Sequence, residues 1–208
     1  MASNEKQIRE NIKEYYCNLY DDLIIKDEFT HRSLCTRSDV MLINNDLVIV
    51  IEIKSNKDTL KRVVSQITEY NSYSTLTVLV MDIVHKHNFE KKYANMDCFK
   101  SVRVMYYLDN NFIINKVGNI SDYPSLFNFL WSSELKYLIS HLKGKSKIKH
   151  SRIRECIEYI YDVDTLHNLS KLLFLSRIGT EYNVNYIPVL DKFTLPDIQD
   201  IFNEYLSK

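Results

Sequence analysis

The stretch from Val40 to Ile53, VMLINNDLVIVIEI, most narrows what this chain can fold into. Its apolar residues are mostly β-branched, which favours extended backbone, and Asn44-Asn45-Asp46 interrupts them. Asn and Asp tolerate positive φ, so the pattern predicts a β-hairpin with strands over 40–43 and 47–53. Side chains alternate across a strand, so Leu47, Ile49, Ile51 and Ile53 share a face that would fill a core. Glu52 and Lys54 share the opposite face. Two charges closing so apolar a strand need a reason.

The flanking patterns give the fold class. Ile8, Ile12, Tyr15, Tyr16, Leu19 and Leu23 recur at helical spacing and predict a helix over 5–24. Leu60, Val63, Val64 and Ile67 predict a second helix over 58–72, and TLTVLVM at 75–81 reads as a buried central strand. Helix, hairpin, helix, strand is an α/β arrangement with a mixed sheet. Residues 85–95 read as helix, and 102–107 with 112–114 as a further strand pair around Asp109-Asn110-Asn111. From Pro124 the pattern is helical, with helices predicted near 124–142, 149–161, 164–178 and 194–207. A composition shift at 121–124 divides a domain over 1–120 from a helical region over 121–208.

Several function classes are excluded. The 27 Lys and Arg balance 27 Asp and Glu, so the chain is not a globally basic nucleic-acid coat protein, though local basic patches are still allowed. There are three glycines and no G-x-x-x-x-G-K or G-x-G-x-x-G, which removes P-loop nucleotidases and glycine-fingerprint dehydrogenases. Cys17, Cys35, Cys98 and Cys156 are too scattered for a zinc site or a disulfide framework, and fit a reducing compartment. The polar start MASNEKQIRE and the lack of any apolar run near the ~20 residues of a membrane span predict a soluble, cytoplasmic protein with no membrane partner.

Chemistry concentrates around the hairpin. Asp39 stands at the start of the first strand and Glu52 near the end of the second, so a short turn brings them together, with Lys54 beside them. Paired carboxylates bind Mg²⁺ or Mn²⁺ while leaving positions for water and substrate phosphate. A neighbouring lysine can orient the water or stabilise transition-state charge. Asp58, Arg62, Gln66 and Tyr70 follow at intervals of four and predict a polar stripe opposite the apolar helix face. Arg62 would meet phosphate oxygens, and Gln66 and Tyr70 a phosphate or a metal-bound water.

The series Ser38-Asp39, Glu52-Ile53-Lys54 and Gln66-x-x-x-Tyr70 resembles the PD-(D/E)XK, or restriction-endonuclease-like, nuclease superfamily. The run IEIKSNKDTLKRVVSQITEY is most similar to a poorly characterised bacterial and phage branch of it with a QxxxY element. The likeness covers about residues 5–82. It implies an αβββαβ core and metal-dependent DNA cleavage in DNA defence, repair or mobile-element biology. Asp39 and Glu52 would hold Mg²⁺ or Mn²⁺, Lys54 would act on the water, and Gln66 and Tyr70 would match the QxxxY element. Ser38 replaces the motif's proline. Many members carry an acid on the first helix; Glu5, Glu10 and Glu14 compete for that place, with Glu10 or Glu14 favoured, and Glu28 is a further candidate. Cutting both strands of a duplex calls for two sites, which a homodimer would supply. The alternative is a non-catalytic nucleic-acid- or protein-binding regulator on the same fold.

Outside this constellation, residues 143–154 (KGKSKIKHSRIR) carry six Lys or Arg and no acid. Lys145, Lys147, Lys149 and Arg152 are accordingly candidates for contacting DNA, against the plainer reading of a solvated loop. His85-Lys86-His87 has metal-pair spacing but lacks companion ligands, so a solvated loop is expected. Tyr73, Tyr106 and Tyr107 are candidates for stacking on bases, while Trp131 is expected in the core with Leu135 and Leu138. Cys35, near Asp39, is read as packing.

Overall fold

A computed structural model of the protein describes residues 4–29, 36–44, 47–120, 126–179 and 195–207. The chain forms two compact units, Met1–Ser125 and Leu126–Lys208.

In the first unit the described elements run α1 (Glu5–Cys17), β1 (Ile24–Asp27), β2 (Val40–Ile43), β3 (Val48–Lys54), α2 (Val63–Asn71), β4 (Leu76–Asp82), α3 (Lys86–Lys92), β5 (Arg103–Leu108) and β6 (Asn111–Lys116). The first six follow the order αβββαβ. The strands make one mixed six-stranded sheet in sequence order. β1, β2 and β3 are antiparallel neighbours, β4 and β5 continue parallel to β3, and β6 closes antiparallel on β5. α2 supplies the crossover that a parallel β3–β4 pair requires.

Alternation sorts the residues between the sheet's two faces. Ile49, Ile51 and Ile53 join Val40, Leu42, Val78 and Val80 in a core closed by Ile8, Ile12 and Tyr16 of α1. Each such side chain contributes roughly 1.5–3 kcal/mol on burial. The opposite face of β3 and β4 lies under α2, whose buried residues are Val63, Gln66, Ile67 and Tyr70. Polar groups of β3 that point this way are therefore sealed between sheet and helix.

Four sequence expectations change here. The first helix stops at Cys17, and Ile24–Asp27 is a strand. Leu19 and Leu23 continue the helical spacing, but Asp22 sits at a φ of 55° and turns the chain. The second helix begins at Val63, because the Asp58 carboxylate accepts the Ser55 amide (2.8 Å) and hydroxyl (2.6 Å) in a turn before it. Tyr73, Tyr106 and Tyr107 are buried and offer no stacking face. His85 ends a 3₁₀ turn over Ile83–His85 and Lys86 and His87 open α3, with His85 Nε2 2.8 Å from the Ser55 carbonyl. Asn45, Asp46 and Cys35 lie outside the described residues.

One turn beyond β6 is sterically demanding. Gly118 has a φ of +78°, and a Cβ there would stand 2.6 Å from the Arg103 amide nitrogen. Backbone cannot yield as a side-chain tip can. Gly118→Ala is expected to destabilise this unit by about 2–4 kcal/mol, read as a lowered urea midpoint. An unchanged midpoint would mean that the turn is free to move off β5.

The second unit contains α4 (Ser132–Leu138), α5 (Ile153–Ile160), α6 (Val163–Gly179) and α7 (Leu195–Ser207), with 3₁₀ turns at Leu126–Phe129, Lys145–Lys147 and His150–Arg152. Leu135, Leu138, Ile157, Leu173 and Phe202 are among its core residues. The helix expected over 124–142 shrinks to α4. Trp131 is the residue preceding that helix and is 37% exposed, not in the core. Among the described residues of the chain, no helix is long and apolar enough to cross a membrane.

Candidate active site

β3 presents Glu52 and Lys54 towards α2, and both are almost wholly buried, at 2% and 6% exposure. Burying charge is costly unless it is paired and hydrogen-bonded. Here both conditions are met. The Lys54 ammonium donates to Glu52 Oε1 (2.5 Å) and to Gln66 Oε1 (3.1 Å). Gln66 Nε2 donates to the same Glu52 oxygen (2.5 Å). The Tyr70 hydroxyl lies 2.8 Å from Glu52 Oε2 and 2.9 Å from the Arg37 carbonyl oxygen. Burial, and then the Glu52 charge, push the Tyr70 phenol far up, so it stays protonated as a donor. An ammonium has three N–H bonds and two are used within this network; the third is available at the cleft that Lys54 lines.

Asp39 closes the group from the residue just before β2. Its carboxylate Oδ2 accepts the Ile53 amide at 2.7 Å, and its carbonyl accepts the Glu28 amide at 3.0 Å. Burial, and then the charge on Glu52, raise its pKa to about 7, against the lowering effects of the Ile53 N–H and of Lys54. Asp39 Oδ1 has Arg9 at 3.8 Å. That guanidinium also pairs with Glu5 (2.5 Å) and Glu28 (3.5 Å).

These groups open into one cleft of about 370 Å³, whose lining includes Glu5, Arg9, Glu28, Arg37, Asp39, Glu52, Lys54, Asp58, Arg62 and Gln66. Five carboxylates face four cationic side chains there. A carboxylate pair in which each charge opposes the other fits a hard divalent cation, because a cation between them removes the repulsion that raises Asp39. Asp39 and Glu52 are the residues that would hold it. Among the described residues, no cluster of three or more His, Cys, Asp or Glu is placed to bind a metal.

The structure thus brings Asp39, Glu52, Lys54, Gln66 and Tyr70 together and sets Arg62 at the rim of the same cleft. It places Gln66 and Tyr70 on the same buried side of α2 as Val63 and Ile67, not on a polar stripe opposite them, and there they hold Glu52 and Lys54. Of the first-helix acids, Glu10 pairs with Lys13 and Glu14 is exposed; Glu5 lines the cleft, and so does Glu28. Arg9 and Arg37 escaped the sequence reading. The one local signal was Arg9 four residues after Glu5, a spacing that pairs them on a helix. Lys145, Lys147, Lys149 and Arg152 lie in the second unit, around its own 3₁₀ turns.

No curated protein matches the chain. Among solved structures, the SPO1766 protein of unknown function from Silicibacter pomeroyi is similar at 15% identity, over 65% of this chain and 86% of that one, with a TM-score of 0.39. The model of the family described as Bacteriophage P4 protein cII matches residues 2–186, nearly the whole length. The chain belongs to the bacteriophage P4 protein cII family.

Proposed function

We propose that this protein is a divalent-metal-dependent nuclease of PD-(D/E)XK type that hydrolyses DNA phosphodiester bonds. The observation that carries the reading is the single buried network of Glu52, Lys54, Gln66 and Tyr70, opening beside Asp39 into a cleft rimmed by arginines. The αβββαβ order of the elements around it is the order expected of such nucleases. A structural ion pair alone needs neither a second carboxylate with a raised pKa nor an open cleft.

Each residue has a part. Asp39 and Glu52 would hold Mg²⁺ or Mn²⁺. Such an ion, when bound, makes a water acidic enough to attack and offsets charge gathering on the phosphoryl oxygens. Lys54 directs its remaining N–H into the cleft, where it orients the attacking water and stabilises negative charge on the phosphate. Gln66 holds both members of the Glu52–Lys54 pair, and Tyr70 fixes the second Glu52 oxygen; these two are positioning residues. Arg9, Arg37 and Arg62 line the route for the strand and suit its phosphates.

The test is cleavage of plasmid, linear duplex and single-stranded DNA with Mg²⁺ or Mn²⁺. Cutting is expected that EDTA abolishes and that Lys54→Ala slows by at least about 10²-fold. A folded wild-type protein that cuts none of these DNAs with either ion would overturn the reading.

A further inference from the structure

Three acids of the cleft converge on one guanidinium. Arg9 stands on α1 with 13% of its side chain exposed. Its Nη2 lies 2.5 Å from Glu5 Oε1 and 3.8 Å from Asp39 Oδ1, and its Nη1 lies 3.5 Å from Glu28 Oε1. A cation so covered needs anions around it, and carboxylates from three separate segments supply them.

The backbone is bent to make this arrangement. Glu28 holds a φ of 51°, a conformation that costs a non-glycine residue energy and persists where its surroundings fix it. Two contacts do so here. The Glu28 amide donates to the Asp39 carbonyl at 3.0 Å, and Glu28 Oε2 meets the Arg37 guanidinium at 3.0 Å. Glu28 is thereby tethered beside Asp39, with its other oxygen turned to Arg9.

Asp39 divides its two carboxylate oxygens between different tasks. Oδ2 accepts the Ile53 amide at 2.7 Å, while Oδ1 faces Arg9 at a distance too long for a hydrogen bond. Oδ1 is therefore the oxygen that Asp39 has to offer a divalent cation, and it is also the oxygen whose charge Arg9 offsets. Two cations that draw on one oxygen oppose each other. Arg9 is free to leave Asp39, because Glu5 and Glu28 hold it by hydrogen bonds and Asp39 does not. A guanidinium also takes phosphate with the same fork that it offers to carboxylates.

We propose that Arg9 is a counter-ion switch: it offsets Asp39 while the cleft is empty, keeps the affinity for divalent metal low, and turns to a DNA phosphate when a strand enters. The proposal rests on the metal site proposed above and adds to it a positioning residue that acts through Asp39.

The experiment has two arms, both on the full chain and neither dependent on cleavage. In the first, Mn²⁺ binding is measured at pH 8 without DNA, from the spin-resonance signal of the free ion. Arg9→Gln and Arg9→Met remove the charge and are expected to tighten Mn²⁺ binding by about tenfold. Arg9→Lys restores the charge and should stay within about threefold of the wild type. Lys13→Met takes the same charge from α1 one turn further on, where Lys13 pairs with Glu10 and Asp27, and should change the affinity less than about twofold. Urea midpoints establish that each variant is folded. In the second arm, labelled single-stranded DNA is bound in EDTA. The two neutral variants should bind it severalfold more weakly, with the slope of log K against log salt reduced by roughly 0.7, the loss of one phosphate contact. Equal Mn²⁺ affinity in the wild type and both neutral variants, or a gain that Lys13→Met matches, would overturn the proposal and leave the metal site standing. DNA affinity indifferent to Arg9 would overturn its turn to phosphate. Absence of Mn²⁺ binding from every form would remove the metal site itself, and this switch with it.

Discussion

Asp39→Asn is expected to make the metal-free protein more stable at neutral and alkaline pH while ending metal-dependent cleavage. The sign follows from the raised pKa. An acid whose pKa rises on folding costs nothing where both states are protonated, below about pH 4. Between there and about pH 7 the unfolded chain ionises Asp39 freely, while the folded chain resists, so wild-type stability falls as pH rises. Above about pH 7 the cost is constant. Three pKa steps correspond to about 4 kcal/mol, and partial access to solvent brings the expected gain to about 2–3 kcal/mol. Asparagine is neutral throughout, and its carbonyl oxygen can still accept the Ile53 amide. The two proteins should therefore match near pH 4 and diverge towards pH 7, in urea midpoints measured with EDTA. Saturating Mg²⁺ should raise the wild-type midpoint and leave the Asn variant unmoved. Equal stability of the two at pH 8 would show that neither burial nor the Glu52 charge opposes ionisation of Asp39, and a cation between the two carboxylates would then have no repulsion to relieve.

The same site shows where sequence reasoning reaches and where it stops. Strand alternation alone places Glu52 and Lys54 on one face, and hairpin geometry alone brings Asp39 to them; both are local properties of a few residues. β1 was hidden because Leu19 and Leu23 prolong a helical spacing past the true end of α1, and because Ile24–Asp27 is short and alternates on a half-exposed edge. Gln66 and Tyr70 misled in a more instructive way. Polar residues at intervals of four ordinarily face water. These two face inward because Glu52 and Lys54 are already buried beneath them and need donors and acceptors, a demand that only the packed sheet creates. Arg9, Arg37 and Glu28 come from separate segments and meet only once β1 pairs with β2, so spacing along the chain carries no trace of their convergence.

Removing Glu52 alone is expected to damage the fold more than removing Glu52 and Lys54 together. Glu52 accepts from three side chains, those of Lys54, Gln66 and Tyr70. Glu52→Leu leaves the buried Lys54 charge with a single neutral partner and should cost about 3–5 kcal/mol. Lys54→Met leaves Glu52 charged but still bonded to Gln66 and Tyr70, and should cost less. In the double variant neither charge of the pair is left buried; Tyr70 can turn wholly to the Arg37 carbonyl, 2.9 Å away, and only Gln66 is short of partners. The double variant should therefore be more stable than Glu52→Leu, with a coupling of about 2–3 kcal/mol between the substitutions. The chain's single tryptophan, Trp131, belongs to the second unit, so the readout must come from the first: hydrogen exchange of the β3 amides across a urea series. Additive costs would show that the two charges do not share a buried contact. A double variant that regains stability and still cuts no DNA would show that this pair, dispensable for folding, is retained for chemistry.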